Sequence, residues 1–597
     1  MCYACVFCGL RNVVSLFPNY HIDDDYTITM SDGIILTATV YTPTTDKTVH
    51  TILIRTPYGR WLLSSVCMIL AQVGYRVLCQ DTRGRWTSGG TYESSLLGSE
   101  ASDGYDTVKW IQVRYPGSKI GLMGISYLGY VQWATVRALI ERDGTSEAVT
   151  SMMPIACASD MYPILFNGSG CIPSIDFLTR WALFTFTIGR IHVPGVTGVV
   201  QSMYYTYKSL FQTTPVVGMT HQPVQTIISS MLTPIVTEAE GACDIPSMPF
   251  IHKHESDYWK HRSHRETLTM GPIPSCVLAT GWYDIFLEGT IIDYRILRHA
   301  DPSIRLVIGP WHHVQTTHPA VFGGLLYTML THFNHTMPCQ FSVDTEEEDP
   351  ILPVHVFLHS SMLRTTRFRG SLIRHVIPSF LLPTVPGTWV QLSSWPPVDV
   401  MSERLWLSFD KRLVSTPEGA TSGTQSYVFD PCTPTPSHGT DTFHYVYGGP
   451  FEITKAVHAR TDCMHCTSDV LPDGIVLAGH VSAFIQATYT GAKSVDYVVR
   501  LCEVYPDDTC IVLAEGIERV MNSVNMDSTH VKIEIGSIGR IVKPGQRLRI
   551  YICSSAYPRW MINKGGDEIQ MVSTHQIRCA PGEPDASYIV LPTFKLP

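Results

Sequence analysis

The arrangement of apolar and polar residues predicts different kinds of structure in different parts of the chain. In the first part, short apolar runs alternate with segments that carry apolar residues at helical spacing. The runs are residues 51–55, 75–79 and 120–124, and the helical segments are residues 61–73 and 102–113. Continuous apolar runs are typical of strands buried on both faces. Their alternation with helices predicts a parallel sheet with right-handed crossovers.

The later part of the chain changes character twice. Two further apolar runs, residues 275–280 and 304–309, continue the predicted sheet after a long interruption. The interruption is rich in aromatic residues and methionine and lacks strand alternation, which predicts a helical cap inserted into the sheet. Beyond about residue 345, short period-two strands separated by turns predict an antiparallel β-sandwich.

A chain of 597 residues is too long for one hydrophobic core. The pattern divides it into an N-terminal cysteine-rich tail (1–25), a first part of an α/β core (26–158), a helical cap (159–271), a second part of the core (272–345) and a C-terminal sandwich (346–597).

Composition narrows the classes of partner. Hydrophobic residues make up 45% of the chain and charged residues 16%, which is typical of a well-buried globular protein. The net charge of −9 argues against nucleic acid as a partner, and no apolar run reaches the length of a membrane span. The 24 histidines show no metal-binding spacing, so neither a metal nor another cofactor is expected.

The cysteines favour a reducing compartment. There are 17 of them, an odd number, and several stand inside apolar strands, which predicts free thiols and a cytoplasmic location. The N-terminal Cys2, Cys5 and Cys8 leave lipidation or metal binding open, although a loosely packed tail is the simpler interpretation.

The best candidate for chemistry is Ser126, which stands where an apolar run ends and a helical pattern begins. This is how a nucleophilic serine is mounted on a sharp strand-to-helix turn. The generic elbow pattern G-x-S-x-G is not satisfied, because Leu128 occupies the place of the second glycine and Gly129 follows it. The motif alone therefore leaves an ordinary turn serine equally open.

Two later strand ends supply possible partners for this serine. Asp284 follows the run at 275–280, and His312 and His313 follow the run at 304–309. The carboxyl ends of parallel strands meet at one edge of a sheet, where ligands bind. The order serine, aspartate, histidine is that of the α/β-hydrolase fold. The residues themselves leave His312 and His313 as alternatives for the base.

Several motifs together resemble a known family. They are R-T-P-Y-G at 55–59, D-T-R-G-R at 81–85, E-A-S-D-G-Y-D-T-V-K-W at 100–110, G-I-S-Y-L-G at 124–129, G-W-Y-D at 281–284 and G-P-W-H-H at 309–313. This set is similar to that of the cocaine-esterase-like hydrolases, relatives of the bacterial Xaa-Pro dipeptidyl-peptidases. The family elbow reads G-x-S-Y-x-G, which accounts for the shifted glycine. The similarity covers most of residues 26–597.

The resemblance implies an α/β-hydrolase core, an inserted helical cap and a C-terminal jelly roll. It implies Ser126 as nucleophile, Asp284 as orienting acid and His313 as base, since the family histidine is fifth in G-P-W-x-H. The hydroxyl of Tyr58 and the backbone N–H of Tyr127 are the implied oxyanion donors.

Three aromatic residues, Trp86, Trp282 and Phe286, are candidates for the wall of an acyl pocket, although buried aromatic side chains more often only fill a core.

We therefore expect a serine hydrolase that cleaves ester bonds through an acyl-enzyme. A dipeptidyl-peptidase that releases N-terminal Xaa-Pro dipeptides is the alternative, and it needs a carboxylate for the free amine, for which Glu288 and Asp160 are candidates. A catalytically silent binding protein is a third possibility. The expected partner is a small ester or a short peptide, and a homodimer is left open.

Overall fold

The structure is a computed structural model. It describes residues 19–45, 48–92, 99–188, 257–260, 262–339, 353–360, 386–443, 448–521, 529–566 and 570–596. The N-terminal cysteines and most of the predicted cap lie outside these residues.

The strands and helices follow in chain order. The strands of the first part are β1 (Tyr20–Thr29), β2 (Ile35–Pro43), β3 (Thr51–Thr56), β4 (Arg76–Asp81), β5 (Ile120–Ile125), β6 (Ser151–Ile155), β7 (Phe166–Asn167), β8 (Ile172–Pro173), β9 (Ser275–Tyr283), β10 (Arg305–His312), β11 (Val354–His359) and β12 (Gly387–Leu392). The later strands are β13 (Met401–Leu407), β14 (Arg412–Val414), β15 (Gly423–Phe429), β16 (Phe451–Glu452), β17 (Met464–Ser468), β18 (Ile475–Thr490), β19 (Ser494–Val504), β20 (Cys510–Met521), β21 (Thr529–Val542), β22 (Arg547–Cys553), β23 (Ser573–Cys579) and β24 (Tyr588–Phe594). The helices are α1 (Ser64–Val73), α2 (Glu100–Arg114), α3 (Tyr127–Asp143), α4 (Tyr162–Leu165), α5 (Ile175–Ile188), α6 (Asp257–Lys260), α7 (Leu287–Ala300), α8 (Pro319–Thr336) and α9 (Thr454–Val457).

The predicted parallel sheet is confirmed. Its order is β1-β2-β4-β3-β5-β6-β9-β10-β11-β12, and all neighbours from β4 to β11 are parallel. Helices cover both faces, which is why the strands read as continuous apolar runs. In β3, Ile52 and Ile54 pack in one core with α1 and α8, whereas Leu53 packs in the other with α2 and α7.

The sheet is longer than the sequence pattern predicts, at both edges. Strand β1 begins at Tyr20, within the segment assigned to a tail, and pairs antiparallel with β2. Strands β11 and β12, which the pattern assigns to the sandwich, instead extend the core sheet beyond β10. Val354 and Val356 are fully buried there, so these strands share the core of the sheet they join. We propose that the core runs to β12 and that the sandwich begins with β13.

The part of the cap that the structure describes is helical apart from one short hairpin. Helices α4 and α5 flank the β7–β8 hairpin, and α6 follows before the chain returns to β9. Side chains of α5, including Phe177 and Trp181, are buried in the same hydrophobic cluster as Tyr127 at the start of α3. Helix α5 therefore lies over the carboxyl ends of the parallel strands.

The C-terminal region is the predicted antiparallel sandwich. The first sheet has the order β13-β24-β18-β21; β23 also pairs with β18, and β15 pairs with β23. The second sheet has the order β14-β17-β22-β19-β20-β16, and β14 also pairs with β13. A buried apolar core lies between them. In the part of the chain described, no helix is long and apolar enough to span a membrane.

Candidate active site

Ser126 occupies a strained turn between β5 and α3. Its backbone has φ 60° and ψ −122°, and α3 begins with the next residue. Such a conformation is unfavourable for a residue with a Cβ and persists only where the surroundings hold it. Here the Ser126 N–H donates to the carbonyl of Ile155 on the neighbouring strand at 2.8 Å, and Tyr130 N–H donates back to the Ser126 carbonyl at 3.0 Å. The turn lifts the serine off the end of the sheet.

Close packing explains why the glycines stand at 124 and 129. A Cβ on Gly124 would lie 2.3 Å from the Cβ of Leu128, and one on Gly129 would lie 2.4 Å from Sγ of Cys157. The first turn of α3 thus packs directly on the end of β5 and on the loop after β6. The second glycine is required where the helix faces Cys157, one residue after the position in the generic pattern.

The structure brings His313 and Asp284 to this serine. Nε2 of His313 lies 3.0 Å from Oγ of Ser126, and Nδ1 lies 3.0 and 3.2 Å from the two carboxylate oxygens of Asp284. Asp284 is fully buried, and its Oδ1 also accepts the backbone N–H of Phe286 at 2.9 Å. That second bond fixes the carboxylate, because it ties the side chain to the turn that precedes α7. The three groups form a hydrogen-bonded chain from a buried acid to a hydroxyl.

The neighbouring His312 is placed differently. It is the last residue of β10, whereas His313 begins a 3₁₀ turn. The backbone N–H of His312 donates to Oε1 of Gln315 at 3.1 Å, so His312 belongs to the cap of this turn. Because consecutive residues at a strand end point in different directions, only one of the two rings faces Ser126.

The predicted oxyanion donors lie next to each other. Tyr127 follows Ser126 at the start of α3, where the first backbone N–H groups have no partner within the helix. Tyr58 follows the end of β3, and its ring centroid is 6.3 Å from that of Tyr127. Burial raises the pKa of Tyr58 to about 12, partly opposed by the indole N–H of Trp181, which donates to its hydroxyl at 3.3 Å. The phenol therefore stays neutral and keeps its proton to donate.

Aromatic rings enclose the histidine. The ring centroids of Phe286 and Phe443 each lie 5.2 Å from that of His313, and Phe177 contacts both phenylalanines. A narrow cavity beside the serine has the lining Ser126, Tyr127, Tyr130, Met161, Phe177, Trp181 and Phe286. Of the three predicted pocket residues, Phe286 reaches this cavity. Phe177 and Phe443 were not predicted, because they lie in the cap and the sandwich and carry no local motif.

The other two predicted pocket residues lie elsewhere. Trp86 packs edge-on against Trp61 and lines neither the narrow cavity nor the larger cavity that Trp282 borders. Trp282 packs against Trp395 and borders this larger cavity, which Asp284 and Phe443 also line. Neither lines the narrow cavity beside Ser126, and a role of either in an acyl pocket stays a prediction.

The second, larger cavity has a volume of about 500 Å³ and lies between the core, the cap and the sandwich. Glu288 borders it and is already engaged: its carboxylate accepts the Ser537 N–H and hydroxyl and lies 3.5 Å from Nδ1 of His480. Nε2 of His480 lies 2.9 Å from Glu534. Burial alone lowers the pKa of His480, but the two carboxylates outweigh burial and raise the pKa above its usual value.

Asp160, the other candidate for binding an amine, is also engaged. It accepts the Tyr162 N–H at 3.1 Å and lies 3.4 Å from Arg265. Neither Asp160 nor Glu288 borders the narrow cavity at Ser126. Among the residues that the structure describes, no group of three or more His, Cys, Asp or Glu side chains is arranged to hold a metal ion.

Comparison with known proteins adds two family matches. The model of the X-Pro dipeptidyl-peptidase (S15 family) matches residues 32–315, and that of the X-Pro dipeptidyl-peptidase C-terminal non-catalytic domain matches residues 378–589. The cocaine esterase of Rhodococcus sp. (strain MB1 Bresler) is 25% identical over 624 residues, which cover 97% of this chain and 99% of the relative.

Solved structures show the same fold over nearly the whole length. An aminopeptidase from the marine sediment archaeon Thaumarchaeota archaeon matches with a TM-score of 0.73 at 18% identity, covering 97% of each chain. An α-amino acid ester hydrolase matches with a TM-score of 0.69 at 17% identity, covering 96% of this chain and 97% of the other.

The strand order, the serine elbow and the sandwich define an α/β-hydrolase with a C-terminal non-catalytic domain, and the chain is a serine hydrolase. It belongs to the cocaine-esterase-like and X-Pro dipeptidyl-peptidase family. The resemblance predicted from the sequence motifs is thereby confirmed.

Proposed function

We propose that this chain is a serine esterase that works by acyl transfer. His313 takes the proton of Ser126 as its Oγ attacks the ester carbonyl, and Asp284 stabilises the resulting imidazolium. The Tyr58 hydroxyl and the Tyr127 N–H stabilise the oxyanion. His313 then gives its proton to the departing alcohol, which leaves the acyl group on Ser126. Water, deprotonated by His313, hydrolyses this acyl-enzyme and regenerates the serine.

The observation that carries the proposal is the position of the His313 ring, 3.0 Å from both Ser126 Oγ and Asp284 Oδ1. With the Nδ1 proton donated to the carboxylate, Nε2 is left as an acceptor for the serine proton. The Asp284 carboxylate is fully buried, so water does not compete for this bond. The arrangement has the geometry that general-base activation of a hydroxyl requires.

The lining of the narrow cavity favours an ester over a peptide with a free amine. A protonated amine needs a carboxylate partner when it leaves water. Among the described residues, the lining of the narrow cavity has aromatic rings, a methionine and hydroxyl groups but no carboxylate, and Glu288 in the larger cavity already binds Ser537 and lies beside His480. Apolar acyl groups gain roughly 25 cal/mol for each Å² that such a lining removes from water. We therefore propose esters with an apolar acyl group as the substrate class.

The other predictions stand as follows. A catalytically silent binding protein is not proposed, because the chain is a serine hydrolase. Release of Xaa-Pro dipeptides remains the alternative activity of the same serine. A cytoplasmic location and a homodimer remain predictions; no cysteine in the described part of the chain forms a disulfide bond.

A paired assay tests the proposal. Purified protein is given p-nitrophenyl butyrate and, separately, Gly-Pro-p-nitroanilide, with Ser126→Ala as the control for both. We expect turnover of the ester that disappears in Ser126→Ala. Serine-dependent release of nitroaniline at a comparable kcat/KM would favour the peptidase instead.

Covalent labelling gives an independent check of the nucleophile. A fluorophosphonate probe should modify the folded wild-type chain at Ser126 and leave Ser126→Ala unmodified, with the site read by peptide mass spectrometry. Labelling at another serine, or none, would contradict the assignment of Ser126.

A further inference from the structure

The side chain of Tyr127 is held by a buried carboxylate that the reaction itself does not use. Its hydroxyl donates to Oε1 of Glu100 at 2.8 Å, and Tyr127 and Glu100 are 6% and 3% exposed. Glu100 is the first residue of α2, on a different element from the elbow. A phenol that is bonded to a fixed acceptor in this way has little freedom to move, so the start of α3 is tied to α2 as well as to the sheet.

Arg55 on β3 holds Glu100 at two points. Its Nη2 lies 3.0 Å from Oε2 of the carboxylate, and its Nη1 donates to the backbone carbonyl of Glu100 at 2.8 Å. Its Nε donates to Gln80 on β4 at 2.9 Å, so the guanidinium is itself anchored to the sheet. Burial raises the pKa of Glu100, and Arg55 opposes that rise. The ion pair therefore connects two core strands to the first residue of α2.

Stability alone does not account for this arrangement. Buried ion pairs lose about as much in desolvation as they gain in attraction, and apolar residues of similar volume commonly serve stability equally well. What an apolar pair lacks is direction, because only a fixed acceptor determines where the Tyr127 hydroxyl points. Ser126, next to Tyr127, has an unfavourable backbone conformation that needs restraint from several sides.

We propose that Glu100, held by Arg55, is a positioning residue that anchors the Tyr127 side chain and thereby aims the Tyr127 backbone N–H at the oxyanion. This inference rests on the acyl-transfer function proposed above. Loss of an oxyanion donor costs about 10²–10³ in kcat. Loss of its anchor leaves the donor present but less well aimed, so the expected effect is smaller, on the order of tenfold.

The test asks whether the Tyr127 backbone N–H is correctly oriented, since the N–H itself is present in every variant. Tyr127→Phe keeps the backbone N–H and the buried ring but removes the bond to Glu100. We expect kcat for p-nitrophenyl butyrate to fall about tenfold with KM changed less than about twofold. The affinity for butylboronic acid, which forms a tetrahedral adduct on the serine, should fall by a similar factor, because the adduct occupies the oxyanion position.

A matched control separates positioning from stability. Tyr75 is also a buried tyrosine, and its hydroxyl donates to the Met337 carbonyl at 3.0 Å. It directly precedes β4, so it lies at the amino-terminal end of that strand, whereas Ser126 follows the carboxyl end of β5. Tyr75→Phe should lower the melting temperature about as much as Tyr127→Phe while leaving kcat and boronate affinity unchanged. Wild-type kcat and boronate affinity in folded Tyr127→Phe would overturn the proposal.

Variants of the carboxylate complete the design. Glu100→Gln retains an acceptor for the phenol and should keep more activity than Glu100→Leu. Combining Glu100→Leu with Tyr127→Phe should cost no more than the larger single effect, because both remove the same bond. If Glu100→Leu does not fold, Glu100→Gln is combined with Tyr127→Phe instead. Losses of kcat that add up in this double variant would overturn the proposal. Failure of the proposed function is a separate result, since it appears as unchanged ester turnover in Ser126→Ala.

Discussion

Replacing Asp284 by asparagine is the sharpest test of the proposed catalytic chain, because it removes a charge while preserving shape. Oδ1 of Asp284 accepts the Phe286 N–H at 2.9 Å, so the carbonyl oxygen of the asparagine takes this place. Nδ1 of His313 then lies 3.0 Å from that uncharged oxygen and 3.2 Å from the amide nitrogen, which occupies the position of Oδ2. The neutral amide no longer attracts the imidazolium. Its N–H group beside Nδ1 also favours the tautomer with the proton on Nε2, which no longer accepts a proton from Ser126.

The size of the effect follows from the same geometry. An imidazolium 3.0 Å from a carboxylate gains about 5.5 kcal/mol at an effective dielectric constant of about 20. At 1.36 kcal/mol for each factor of ten, loss of this attraction slows the reaction about 10⁴-fold. The wrong tautomer acts in the same direction, and the corresponding change in the well-studied serine protease triad also costs about 10⁴.

The assay is kcat for p-nitrophenyl butyrate, with thermal unfolding of each variant as the check on folding. Asp293→Asn is the matched control, since Asp293 is equally buried but lies within α7 and binds Ser159 and Arg265. We expect the control to keep its kcat within about threefold, as its bonds do not reach the reacting atoms. A folded Asp284→Asn variant that retains more than a tenth of wild-type kcat would refute the reasoning.

Three further predictions concern the base, the elbow and the interface with the sandwich. His313→Ala should abolish ester turnover while His312→Ala keeps most of it, because the His313 ring is the one at 3.0 Å from Ser126 Oγ; the opposite ranking of kcat would contradict the assignment. Gly129→Ala places a Cβ 2.4 Å from Sγ of Cys157, so kcat should fall and the variant should lose roughly 1–3 kcal/mol of stability. Adding Cys157→Ala should restore much of both, and a double variant no better than the single one would exclude this contact as the cause. The raised pKa of His480 means that its contribution to stability is present below the usual pKa of about 6.5 and is lost as the pH rises through the raised value. The difference in urea unfolding midpoint between wild type and His480→Gln should therefore be larger at about pH 6 than at about pH 9, and a constant difference would count against the two-carboxylate environment.

Much of the hydrolase core could be predicted from local pattern. Residues 120–125 form β5, and α3 begins at Tyr127, where the apolar run gives way to helical spacing. A parallel strand buried on both faces needs consecutive apolar residues, so this signal lies in adjacent positions of the sequence. The edges were harder to predict: β11 and β12 have strand character, but nothing in their own residues shows which sheet they join.

The sequence by itself determined the alternating strands and helices of the core and where Ser126, Asp284 and the two histidines stand relative to their strand ends. Only the tertiary structure decided that the His313 ring rather than the His312 ring faces the serine in this molecule, because that choice depends on how the chain turns after β10. The ring contacts of Phe177 and Phe443 near that histidine could not be predicted from the sequence either, since they join a cap helix to a sandwich loop. Periodicity reports the burial of a residue within its own element, whereas the partners across a site are determined by how distant elements pack.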